Sequence, residues 1–176
     1  MLSPDDVLTF WFEELEPQQQ FKKSQSIDEQ ITTRFLPTWG LIMAGETESW
    51  RDTAQGRLAE IIVLDQFSRN MFRGSAKAFS ADTVALVLAQ EAVRSGADTK
   101  LTQRQRLFLY MPYMHSESVK VHDKAMELFA DLPNLDYEVK HKTIIEQFGR
   151  FPHRNEVLGR ESTEEEIEWM KTHPGF

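Results

Sequence analysis

The sequence predicts an all-α fold of about eight or nine helices of ordinary length, packed as antiparallel pairs. Three observations carry this. Apolar residues recur at three- and four-residue steps, as in Val7, Leu8, Phe10, Trp11 and Leu15, and again in Ile27, Ile31, Phe35 and Trp39. Capping and helix-ending residues punctuate the chain at helix-length intervals. No segment alternates apolar and polar residues over about six positions, so no strand is expected. A stack of helix pairs is compatible with this pattern, although no repeat of fixed period is visible.

Each element has a local reason. Ser3-Pro4-Asp5-Asp6 supplies a cap, a proline suited to the first helical position and acids for the positive end of the dipole. That helix should stop near Pro17. Ser26 with Glu29 reads as a capping box opening a second helix, which Pro37 should kink or split. Thr53 starts a third, running through Leu58, Ile61, Ile62, Leu64 and Phe67. Ser80 should cap a fourth, with Val84, Leu86, Val87, Leu88 and Val93 as its apolar residues, stopped by Gly96. Thr102 and Gln105 form another box, before a helix interrupted at Pro112. A further helix carries Val119, Val121, Ala125, Leu128 and Phe129; His122 reads as surface. Asn134 should cap the helix of His141, Ile144, Ile145 and Phe148, which Gly149 ends in a left-handed conformation. Ser162-Thr163-Glu164-Glu165 is the clearest box and opens a final helix.

Composition bounds the function. A chain of 176 residues, 40% hydrophobic, with 12 Phe and 4 Trp, is expected to form a single helical domain over residues 1–176. A net charge of -8 argues against non-specific nucleic-acid binding, because Lys and Arg are not in excess to neutralise phosphates. The chain has no cysteine, which removes disulfides, thiolate nucleophiles and Cys-ligated metals. Apolar runs such as Ile61 to Leu64 are far too short for a membrane span. The start of the chain lacks the basic and apolar regions of a signal peptide, and a cytoplasmic protein is the expectation.

Three polar stretches stand out. In Asp65-Gln66-Phe67-Ser68-Arg69-Asn70, Asp65 and Arg69 share a helix side, as do Gln66 and Asn70. Asp65 could orient Arg69 toward an anionic ligand, or the two could be an intrahelical ion pair. In Tyr113-Met114-His115-Ser116-Glu117, His115 and Glu117 could converge in a turn as an acid–base pair, as metal ligands or as a helix cap. In Phe148-Gly149-Arg150-Phe151-Pro152-His153-Arg154-Asn155, two aromatics pin a turn that presents His153, Arg154 and Asn155, while Arg150 and Arg154 could instead satisfy helix-end carbonyls. His115, Glu117, His141 and His153 are enough donors for a divalent metal, but no His-x3-His or Glu-x-x-His spacing appears. No nucleophile elbow, phosphate-binding glycine loop or dinucleotide fingerprint is present, so no cofactor is implied by the sequence.

These stretches, with Phe10-Trp11-Phe12, Arg73-Gly74 and Leu158-Gly159-Arg160, resemble the bacterial domain-of-unknown-function family 924 over nearly the whole chain. The resemblance implies an all-helical fold similar to tetratricopeptide-repeat superhelices and does not supply an activity. Where that family often carries a tryptophan before the first Phe-Lys segment, this chain has Gln19-Gln20-Phe21. The matched motif residues are Asp65, Gln66, Arg69, Asn70, Arg73, His115, Glu117, His141, Arg150, His153, Arg154 and Asn155.

Three functions are expected. The first is a binding module whose groove, lined by Arg69, Asn70, Arg73, His141, Arg150, Arg154 and Asn155, takes a small anion or a peptide. The second is a hydrolase of a small anionic substrate, with His115 or His153 as base, Glu117 or Asp65 orienting it, and a metal assisting if one is bound. The third is a buried polar network that only locks helices together.

Overall fold

The computed structural model describes residues 2–175, and among them every regular element is helical. The α-helices are α1 (Pro4–Thr9), α2 (Gln25–Met43), α3 (Ala54–Ile62), α4 (Ser68–Met71), α5 (Asp82–Arg94), α6 (Gln103–Met114), α7 (Val119–Phe129), α8 (Leu135–Phe148) and α9 (Glu164–Thr172). A π turn, Val63–Phe67, joins α3 to α4 without a break. Another, Phe10–Glu14, extends α1.

Helix α3 is central, with α1, α5 and α6 packed on it and α2 packed on α4. From α5 to α8 each helix packs on the next, as expected of consecutive pairs. Rings of Phe10, Phe35 and Phe67 meet at 4.8–5.9 Å, and Trp11 bridges Phe67 to Phe108 edge-on. These geometries suit the ring quadrupole. Ile144, Ile145 and Phe151 form a smaller core, with Phe148 and Trp169 against it.

Several local expectations need correction. Pro37 does not split α2, and Pro112 lies within α6. A proline deletes one backbone donor, and the packing of Phe35 and Thr38 in α2 and of Phe108 to Met114 in α6 outweighs that loss. Ser24, not Ser26, caps α2. The last capping box pairs Thr163 with Glu166, one residue beyond Ser162 and Glu165. Ser80 donates to the Lys77 carbonyl, and α5 starts without a side-chain cap; neither does Asn134 cap α8 with its side chain. Helix α5 buries Ala85, Ala89 and Ala92, leaving Val84 and Val87 exposed. Small residues let its backbone approach α3, which branched side chains would prevent.

His122 is fully buried rather than on the surface. Its Nδ1 lies 2.6 Å from Glu138 Oε1, and its Nε2 lies 2.8 Å from the Ser116 carbonyl oxygen. Gly56 is fixed by a close approach: a Cβ there would sit 1.9 Å from the Trp50 carbonyl oxygen. Glu60, buried on α3, accepts from Thr47 Oγ1 and from Arg51.

A candidate acid–base site at the end of α6

Two elements bring the central pair together. The π turn after α3 carries Asp65, and α6 ends at His115. π turns often mark functional positions because the inserted residue re-aims the side chains beyond it. Here all five residues of the turn are buried, and Asp65 is only 1% exposed at its side chain. Asp65 Oδ1 lies 2.7 Å from His115 Nδ1, and Gln66 Nε2 donates to Asp65 Oδ2 at 2.6 Å. Nδ1 therefore carries the hydrogen toward the carboxylate, and Nε2 is left with its lone pair. Nε2 makes no hydrogen bond among the described residues, and the imidazole is 14% exposed.

The electrostatics separate the two groups. Burial pushes the Asp65 carboxyl up, but the neighbouring His115 and Arg69 and the hydrogen bonds to it outweigh burial and hold it well below the usual carboxylate range. Burial pushes His115 down from its ordinary value, with Arg69 adding to this, and the pull from Asp65 does not offset it. At neutral pH the pair is an ionised carboxylate facing a neutral imidazole. Arg69, which stays charged, keeps Asp65 ionised when the imidazole is neutral.

Arg69 holds the next ring of contacts. It meets Asp65 Oδ1 at 3.3 Å and grips Asp82 at 2.9 and 3.0 Å. Arg154 donates to the His115 carbonyl at 3.0 Å, lies 3.6 Å from Asp82 and sits over the rings of Phe79 and Phe151. Burial and the nearby Arg69 lower its pKa to about 10. His141 is buried with Nδ1 donating to the Tyr137 carbonyl at 2.6 Å; burial lowers it to about 3, and its ring centre is 6.3 Å from that of His115.

The other predicted residues sit elsewhere. Glu117 does not meet His115: it binds Arg160 at 2.7 and 2.9 Å and accepts from the Phe151 backbone N–H at 2.8 Å. Arg150 is gripped by Glu166, which also accepts from the buried Asn155. His153 is exposed, with its ring 5.6 Å from Trp169. Asn70 and Arg73 both bind Asp28 at the start of α2. The four suggested metal donors thus do not form one ligand set, and no group of three His, Asp or Glu among the described residues is placed to hold a metal.

Open space surrounds His115. One cleft of about 240 Å³ is lined by Lys22, Lys23, Arg69, Arg73 and Gln66. A second, of about 360 Å³, is lined by Phe21, Met111, Met114, Tyr137 and His141. A third, of about 280 Å³, holds Asp82, Glu117 and Arg154. His115 borders all three. Sequence reasoning missed Lys22, Lys23, Asp82, Glu166 and Tyr137, and named Arg160 only within the Leu158-Gly159-Arg160 motif. The adjacent Lys22-Lys23 in a polar stretch was the one visible signal.

An all-helical protein with a histidine–carboxylate pair bordering a partly basic cleft is what fold and site define. The chain belongs to the family described as bacterial protein of unknown function (DUF924), whose model matches residues 7–174. It is similar to the solved structure of protein of unknown function ATU0120 from Agrobacterium tumefaciens, with 34% identity, 96% of this chain and 97% of that chain covered, and a TM-score of 0.92. None of the curated proteins matches the chain. No helix among the described residues is long and apolar enough to cross a membrane.

Proposed function

We propose that the cleft around His115 is an acid–base active site for a small anionic substrate, with hydrolysis as the reaction class. The observation that carries this is the 2.7 Å bond from His115 Nδ1 to the buried Asp65, with Nε2 unengaged beside the cleft. Asp65 holds the imidazole in the tautomer whose Nε2 accepts a proton. Nε2 removes a proton from water as the oxygen attacks, and the carboxylate stabilises the imidazolium that forms. The proton then passes to the leaving group. Lys22 and Lys23, which form no ion pair among the described residues, supply the charge that holds the anion.

The binding-module reading shares this cleft but draws less support. Arg69, Arg73 and Arg150 each already meet a carboxylate at bonding distance, which leaves the lysines as the open cations. A purely structural role suits Glu117, Arg150, Asn155 and Arg160. It leaves the unengaged Nε2 of His115 without a purpose.

The test is a hydrolysis screen of phosphate monoesters, carboxylate-bearing esters and acidic amides with wild type and His115→Ala. Position-matched general bases contribute about 10²–10⁴ in rate, so a hundredfold loss or more in the variant is expected. Equal turnover by the folded variant, or no turnover of any class by wild type, would sink the proposal.

A further inference from the structure

Two of the clefts beside His115 differ sharply in chemistry yet share residues. The basic one carries Lys22, Lys23 and Arg73 with the amides of Gln66 and Asn70. The apolar one carries Met111, Met114 and two exposed aromatics, Phe21 at 57% and Tyr137 at 52%. Phe21, Met111 and His115 border both. Large rings left this open beside a concave surface mark a place where apolar matter binds. The Phe21 ring stacks on Phe108 at 5.8 Å and 19°, and Phe108 is itself buried against Trp11. One face of Phe21 is therefore held while the side chain stays accessible. Methionine thioethers adapt to guests of differing outline. A volume of about 360 Å³ falls within the range of about 300–1,000 Å³ typical of small-molecule sites.

We propose that the site takes an amphiphilic anion. Its phosphoryl or carboxylate head lies by Lys22 and Lys23, its aryl or short acyl group lies against Phe21, Met111 and Tyr137, and its centre passes His115. Charge complementarity selects the head and the exposed rings select the tail. The inference rests on the acid–base reading for the meaning of His115, while the ligand class stands on the two linings alone.

The experiment is calorimetric titration with two pairs of inert probes, phenylphosphonate against methylphosphonate and phenylacetate against acetate. At least a tenfold preference for the aromatic member is expected in one pair, and that pair names the head group. Phe21→Ala, an exposed position, should bring the aromatic probe to within about twofold of its small partner and leave the small partner's affinity unchanged. The double variant Lys22→Ala with Lys23→Ala should weaken both members together. No preference in either pair, or a preference that survives Phe21→Ala, overturns the proposal. Loss of a dimer on Phe21→Ala, with neither pair discriminated, would assign the rings to a second copy of the chain and also overturn it. None of the probes is hydrolysed, so a failed preference alongside His115-dependent turnover rejects this inference alone. A sound preference without such turnover rejects only the acid–base reading.

Discussion

His115 Nδ1 donates to Asp65 Oδ1 at 2.7 Å across a separation of 50 residues, tying the end of α6 to the π turn after α3. The bond joins a buried carboxylate to an imidazole with a second nitrogen still open.

Replacing the carboxylate should remove the tautomer control. Asp65→Asn is expected to lower turnover per folded molecule by at least about a hundredfold. Glu117→Gln should leave turnover within a few-fold and lower the melting temperature, because Glu117 joins Arg160 to the Phe151 backbone rather than touching His115. Steady-state rates normalised to folded protein separate the two. Equal losses in both variants would count against Asp65 as the orienting group.

The rate should depend on pH through His115. The base form must be unprotonated, and burial lowers its pKa from the ordinary 6.5. Activity should therefore be full at neutral pH, with the acid limb of kcat/KM below pH 6.5. A limb above 7 would show that another group controls the rate.

Stability should fall in mild acid, and His141 is a main cause. Burial holds its pKa at about 3 against 6.5 when unfolded. Between those values the unfolded chain binds the proton and the folded one does not, so stability drops as pH falls from 6.5 toward 3. From pH 7 to pH 5 this one group accounts for about 2 kcal/mol. Urea titrations of wild type and His141→Gln at both pH values check it; the variant should show a smaller difference between them.

Two glycines in helices should respond in opposite directions. Gly56→Ala drives a methyl into the Trp50 carbonyl and should cost about 3 kcal/mol or more, since backbone cannot easily move aside. Gly40→Ala meets nothing within 4 Å in α2 and should stabilise by about 0.5–1 kcal/mol. Thermal melts followed by circular dichroism decide both.

The buried His122–Glu138 pair should matter far more than a surface pair. Glu138→Ala strands an imidazole in the interior and should cost about 3–5 kcal/mol. Lys124→Ala breaks an exposed pair with Glu127 and should change stability by less than about 1 kcal/mol. Chemical denaturation of the two variants gives the comparison.

The sequence by itself determined the helical class, most of the boundaries and much of the aromatic core. These depend on spacing and capping within a few residues, as in Ser3 with Asp6 or Thr102 with Gln105, and such local terms do not need the rest of the chain. It also marked Asp65, Arg69 and His115 as polar residues in apolar surroundings. Only the tertiary structure decided who meets whom. His115 pairs with Asp65, not with its sequence neighbour Glu117, because the end of α6 faces the π turn while Glu117 faces Arg160. His122 and Glu138 went inside because two helices met there, and α5 turned its alanines inward because α3 lay close. Long-range pairing depends on how whole helices pack, and the local periodicity that reveals each helix says little about which side chain lies across from it.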